Sequence, residues 1–127
     1  MIKRLILMCL VLAIALAAQS TRPVNLSWTA STSSGVIGYN IYRSTSVFTT
    51  TAGLTPLNSS PITGLSYQDT TAVIGQTYTY GATAVAAACT PTTPVGTPCG
   101  QSPLSPTVTT TIPAQPAVSI SIVVAVP

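Results

Sequence analysis

The chain has 127 residues, a formal net charge of +3 and a charged content of only 4%. Lys3 and Arg4 lie at the very start, and after them only Arg22, Arg43 and Asp69 carry charge. Residues 19–127 therefore lack the His, Glu and Lys side chains that move protons in most enzymes. They also lack a basic footprint for nucleic acid.

Residues 1–18 read as a secretory signal peptide. Lys3 and Arg4 form the basic region, residues 5–16 the apolar region, and Ala15-Leu16-Ala17 the small-x-small cleavage pattern. The alternative is an uncleaved anchor, but the apolar run is shorter than the roughly 20 residues a spanning helix needs. Cys9 sits inside the apolar run behind Leu7-Met8, without the small residue that precedes a lipidated cysteine, so no lipid anchor is expected. After cleavage, two arginines against one aspartate leave a net charge of +1, too little for a polybasic membrane patch. Solubility then rests on Ser and Thr, which supply 36 of residues 19–127. That length suits one domain, expected over 19–113, followed by a linker and tail over 114–127.

No segment after the leader carries a helical stripe. Short period-2 runs separated by Gly, Pro, Ser and Asn predict an all-β domain. Val24, Leu26 and Trp28 alternate on one face of the first run, and Tyr39 and Ile41 on one face of the second. Residues 47–61 are irregular, with one short strand expected near Leu57. A short strand over 66–70 and a turn over 74–76 follow. The next run, 77–85, places Tyr78, Tyr80, Ala82 and Ala84 together. Residues 105–112 predict a Thr/Val strand, which Pro103, Pro106 and Pro113 punctuate and confine to an edge.

Cys89 and Cys99 flank a loop rich in Pro and Thr. In an exported chain this spacing predicts a disulfide, with a free thiol pair as the alternative. Closing so short a loop stabilises the fold by about 2–3 kcal/mol when unstrained. Metal binding would need further ligands, and neither His nor Glu is present to supply them.

The tail alternates Val118, Ile120, Ile122, Val124 and Val126 with Ser119 and Ser121, a β period without charge. Three placements are open. The tail can fold back onto an open sheet edge, add to a neighbouring molecule's sheet, or open a following domain. Left exposed, it would be an aggregation site.

Leu26-Ser27-Trp28, then Gly38-Tyr39-Asn40-Ile41-Tyr42-Arg43, then the run from Ile74 to Val85 resemble the fibronectin type III family in order and spacing. The resemblance covers residues 24–113 and is nearest to modules of bacterial secreted and surface proteins. It implies a seven-strand, antiparallel, immunoglobulin-like sandwich. It makes Trp28 the central core tryptophan and Tyr78 the tyrosine-corner residue, whose hydroxyl bonds back to upstream backbone. Two departures stand out. The first strand is short or missing, and the loop before the last strand is long and carries the cysteines. The C-terminal run adds an extra strand.

By this reading Trp28, Tyr39, Ile41, Tyr78 and Tyr80 are core. Tyr42 points away from Ile41 and is the candidate surface aromatic, with Asn40 beside it and Val95 in the cysteine loop as further contacts. Arg43 and Asp69 are expected to form an exposed contact between neighbouring strands, worth about 0–1 kcal/mol. Asp69 alone completes neither a triad, a carboxylate pair nor a calcium site. Asn25-Leu26-Ser27 and Asn58-Ser59-Ser60 match the N-glycosylation sequon. The expected role is a non-catalytic extracellular binding or spacer module, without cofactor, that meets a surface protein or polysaccharide through loops and an edge strand. The alternatives are a subunit that self-assembles through 117–127 and a carbohydrate-binding accessory module.

Overall fold

The computed structural model describes residues 19–88, 99–114 and 122–125, the last four by backbone alone. The signal peptide call, Cys89 and Val95 lie outside the described residues. Six strands form, with no helix among the described residues: β1 (Val24–Thr29), β2 (Val36–Ser44), β3 (Ser66–Asp69), β4 (Thr77–Ala86), β5 (Val108–Thr111) and β6 (Ile122–Ala125). They make two sheets, ordered β3-β1-β6 and β2-β4-β5.

Alternation explains how the sheets meet. Val24, Leu26 and Trp28 of β1 turn one face inward, as do Tyr39 and Ile41 of β2 and Tyr78, Tyr80, Ala82 and Ala84 of β4. These side chains form one core with Ala72 and Ile112. Trp28 meets Tyr39 edge-on across the layers, with ring centroids 5.5 Å apart. The Tyr78 hydroxyl accepts the backbone N–H of Val73 at 3.3 Å, which ties the turn before β4 to the strand.

Five strands pair antiparallel, and the sixth departs from that expectation. β6 runs parallel to β1, with Leu26 opposite Ile122 and Thr29 opposite Ala125. A tight hairpin forces antiparallel pairing, but the strand preceding β6 lies in the other sheet, so no hairpin constrains it. This strand of the tail thus covers an edge of β1 within its own chain. Among the described residues before β1, Thr21 makes an isolated bridge with Val73, flanked by Arg22 N–H to Ala72 C=O at 2.8 Å and Ile74 N–H to Ser20 C=O at 3.0 Å.

The strand expected near Leu57 is replaced by a side-chain latch. Leu57 N–H donates to Ile41 C=O, and Ile62 exchanges two backbone bonds with Tyr39. Between them Asn58 accepts from Ile41 N–H at 2.8 Å and donates to Tyr39 C=O, Asn40 Oδ1 and Ser60 C=O. One amide thereby supplies the ladder contacts of the outer edge of β2.

The run predicted as a strand over 105–112 is regular only over Val108–Thr111. Upstream, Pro103 and Pro106 interrupt it, and serines take over the ladder. Ser102 Oγ accepts from Ala84 N–H at 2.9 Å and Ser105 Oγ from Ala82 N–H at 3.1 Å. Each hydroxyl then donates to the carbonyl of the proline that follows it.

Candidate functional site

Two concavities meet at one end of the molecule, where the β1–β2 loop faces the 99–103 strap. One, of about 270 Å³, is lined by Ala84, Ala86, Cys99, Gln101 and Pro103 among others. The second, of about 510 Å³, is lined by residues of 30–39 together with Thr63 and Leu65. Ser33 and Val36 belong to both, so the hollows are contiguous. The strap is fixed by paired backbone bonds: Ala86 N–H to Gly100 C=O and Gly100 N–H to Ala87 C=O, each 2.7 Å. Cys99 is disulfide-bonded at the rim. The floor of the second hollow is Tyr39, whose hydroxyl accepts Ser31 N–H at 2.9 Å and holds the loop down.

Tyr42, expected on the surface, is buried at 3% exposure. It does point away from the main core, but the chain folds a second layer over that face. Gln101 donates its side-chain amide to the Tyr42 hydroxyl and to Thr83 Oγ1. Leu104 and Phe48 close over Gly81, the residue opposite Tyr42 on β4. A Cβ at Gly81 would lie 2.8 Å from Leu104 Cδ1 and 3.3 Å from Phe48 Cε2, so the glycine admits the cover. Thr79 and Thr83 are buried with it. Carbohydrate stacking on Tyr42 is thereby ruled out. Asn40 is half-buried and held by Asn58, so it too is no free contact. Trp28, Tyr39, Ile41, Tyr78 and Tyr80 are all buried.

Arg43 and Asp69 are not an exposed pair on neighbouring strands. They join opposite sheets, β2 to β3, and Asp69 is only 2% exposed. Arg43 Nη1 donates to Asp69 Oδ2 at 2.7 Å and to Thr71 Oγ1 at 3.0 Å. The Tyr80 hydroxyl donates to the same Oδ2 at 2.8 Å. Thr71 donates its N–H and its hydroxyl to Oδ1. The guanidinium also lies over the Tyr78 ring, 4.5 Å from its centroid.

The electrostatics follow from these contacts. Burial alone would raise the Asp69 pKa. The hydrogen bonds from Thr71 and Tyr80 and the Arg43 charge outweigh it and hold the carboxyl below its ordinary value. Burial and the bond to Asp69 push the Tyr80 phenol upward. Burial lowers the Arg43 value, and the Asp69 charge and hydrogen bond more than offset that. Both Asp69 oxygens accept two hydrogen bonds each, so the cluster fastens the two sheets together.

Of the two sequons, Asn58 has its whole amide committed to the latch. Asn25 Oδ1 accepts from Gln68 across to β3 at 2.9 Å. The residue pair that sequence reasoning missed is Ile37 and Leu65, large apolar side chains 55% and 43% exposed beside the larger hollow. Compared with known proteins, the chain matches no family model, no curated protein and no solved structure.

Proposed function

We propose that the protein is an exported, non-catalytic binding module built on a fibronectin type III-like sandwich. Its contact surface is the end formed by the β1–β2 loop and the 99–103 strap. The observation that carries this reading is the pair of contiguous hollows there, set on hydrogen-bonded backbone beside a disulfide-bonded cysteine. A surface already held in shape loses little conformational entropy when a ligand binds. The family reading is supported by the strand order, by Trp28 at the centre of the core, and by the Tyr78 hydroxyl on Val73 N–H. The scarcity of proton-transfer groups in the sequence supports a non-catalytic role.

The test is to add labelled mature protein back to cells that produce it. Saturable surface binding is expected. The double variant Ile37→Asp, Leu65→Asp is expected to lose it while keeping its melting temperature, because both side chains are exposed. Equal binding of both proteins would remove the loop end from the contact. Binding by neither would leave only a spacer.

A further inference from the structure

The inward face of β4 thins towards the loop end. Tyr78 and Tyr80 fill it at one end, and Ala82 and Ala84 continue it, with Ala86 next in phase. Val36 pairs with Ala86, and a β-bulge at Ile37 separates that pair from the next, Gly38 with Val85. The small side chains leave room, and the hollow of about 270 Å³ opens over Val36, Ala84 and Ala86, with the 99–103 strap as its other wall. Protein interiors close such room by setting large side chains of one layer against small ones of the other.

The sheet order shows which segment arrives there. β3 lies over β2, since Arg43 reaches Asp69 from one layer to the other. β6 flanks β1 on the edge away from β3, so it lies on the side of the molecule where the strap leads into β5. It runs parallel to β1 and therefore towards the same loop end, with Ile122 opposite Leu26, Val124 opposite Trp28 and Ala125 opposite Thr29. One residue further, about 3.3 Å along a strand, position 126 comes level with Ala30. Ala30 borders the loop-end hollows. Val126 is in phase with Ile122 and Val124, whose register partners Leu26 and Trp28 belong to the core.

We infer that residues 126–127 are a lid in cis, with Val126 seated in the smaller hollow against Val36 and Ala86. The larger hollow is walled by Thr63 and Leu65, on the β3 side of β1, away from the tail. One consequence rests on the binding-module reading: a ligand of the smaller hollow must displace Val126.

The test is a methyl NOE spectrum of the mature, oxidised protein, with the Val126 resonances assigned through Val126→Ala. Cross-peaks from the Val126 methyls to those of Val36 and Ala86 are expected. Val126→Ser should shift the Ala86 methyl resonance and leave those of Val47 in place, since Val47 is 73% exposed and lines neither hollow. Cross-peaks to Leu65 instead, or none outside β1 and the tail, would overturn the lid. Cross-peaks found only between copies carrying different labels would overturn its seating in cis. The consequence is read separately, by adding labelled protein back to the producing cells. Val126→Ser should bind about tenfold more tightly than the wild type, the gain from removing a lid closed about nine-tenths of the time. Equal binding alongside the cross-peaks would overturn the competition. Binding by neither protein would overturn the module reading, and the cross-peaks would still decide the lid.

Discussion

At the residue scale the fold turns on Asp69. It is the only acidic side chain in the sequence, and it receives hydrogen bonds from three residues. Its replacement by Ala would strand the Arg43 charge beside Tyr78 and leave Tyr80 without its acceptor. Breaking a buried pair from one side costs about 3–5 kcal/mol, and urea unfolding of Asp69→Ala should show a loss of that order. The same residue sets the acid limit. Its folded pKa lies below the unfolded value, so its stabilisation is full above the unfolded value and disappears as pH falls through the folded one. The wild-type melting temperature should hold steady near neutrality and drop below about pH 4. Asp69→Asn should melt lower at neutral pH and show no such drop, since no other acidic side chain titrates there. A parallel acid drop in the variant would place the titrating group elsewhere. The sequence offered Arg43 and Asp69 as a pair, because Asp69 is the only acidic side chain that could balance Arg43. It did not show that they lie in opposite sheets, since two alternating strands look alike whichever layer they join.

At the element scale, side chains complete ladders that the backbone leaves open. Asn58 does so beside β2, and Ser102 and Ser105 do so beside β4. Ser105→Ala would leave the Ala82 N–H buried without that acceptor, at a cost of about 1–3 kcal/mol. Exchange of the Ala82 amide with deuterium should quicken accordingly, while that of Thr110 stays unchanged. Two glycines separate close approach to backbone from close approach to a flexible tip. Gly38→Ala drives a Cβ into Pro61 and the Ile62 carbonyl, whereas Gly81→Ala meets mainly the end of Leu104. Gly38→Ala should therefore lose about 1–3 kcal/mol in thermal unfolding and Gly81→Ala distinctly less. The strands were legible where alternation was strict, as in Val24, Leu26 and Trp28. Tyr42 misled for a physical reason: period two tells which face a side chain takes, not whether a second layer covers that face. Gly81 in the middle of an apolar strand was the available signal, because a glycine there marks close approach by another segment. Ile37 was hidden in the same way, since a bulge changes the register without changing the composition.

At the scale of the whole molecule the question is how the open edge of β1 is closed. β3 holds one side and β6 the other, in parallel register over four residues. The N-terminal segment bridges 72–74 instead and leaves that edge to the tail. An uncovered row of backbone donors and acceptors beside Trp28 would be a template for association. The mature protein should therefore elute as a monomer under light scattering at every concentration. A version ending at Ala114 should unfold at lower temperature and associate as its concentration rises. The opposite result would reverse the assignment of the tail. If the full-length protein formed oligomers and the shortened one stayed monomeric, β6 would pair between molecules. Self-assembly through residues 117–127 would then displace the cis arrangement. The cis arrangement follows from connectivity: β5 and β6 are joined by ten residues, 112–121, which keep the strand at high effective concentration beside its own β1. Exchange between copies becomes competitive only when protein concentration approaches that effective value, on the order of millimolar for a short link.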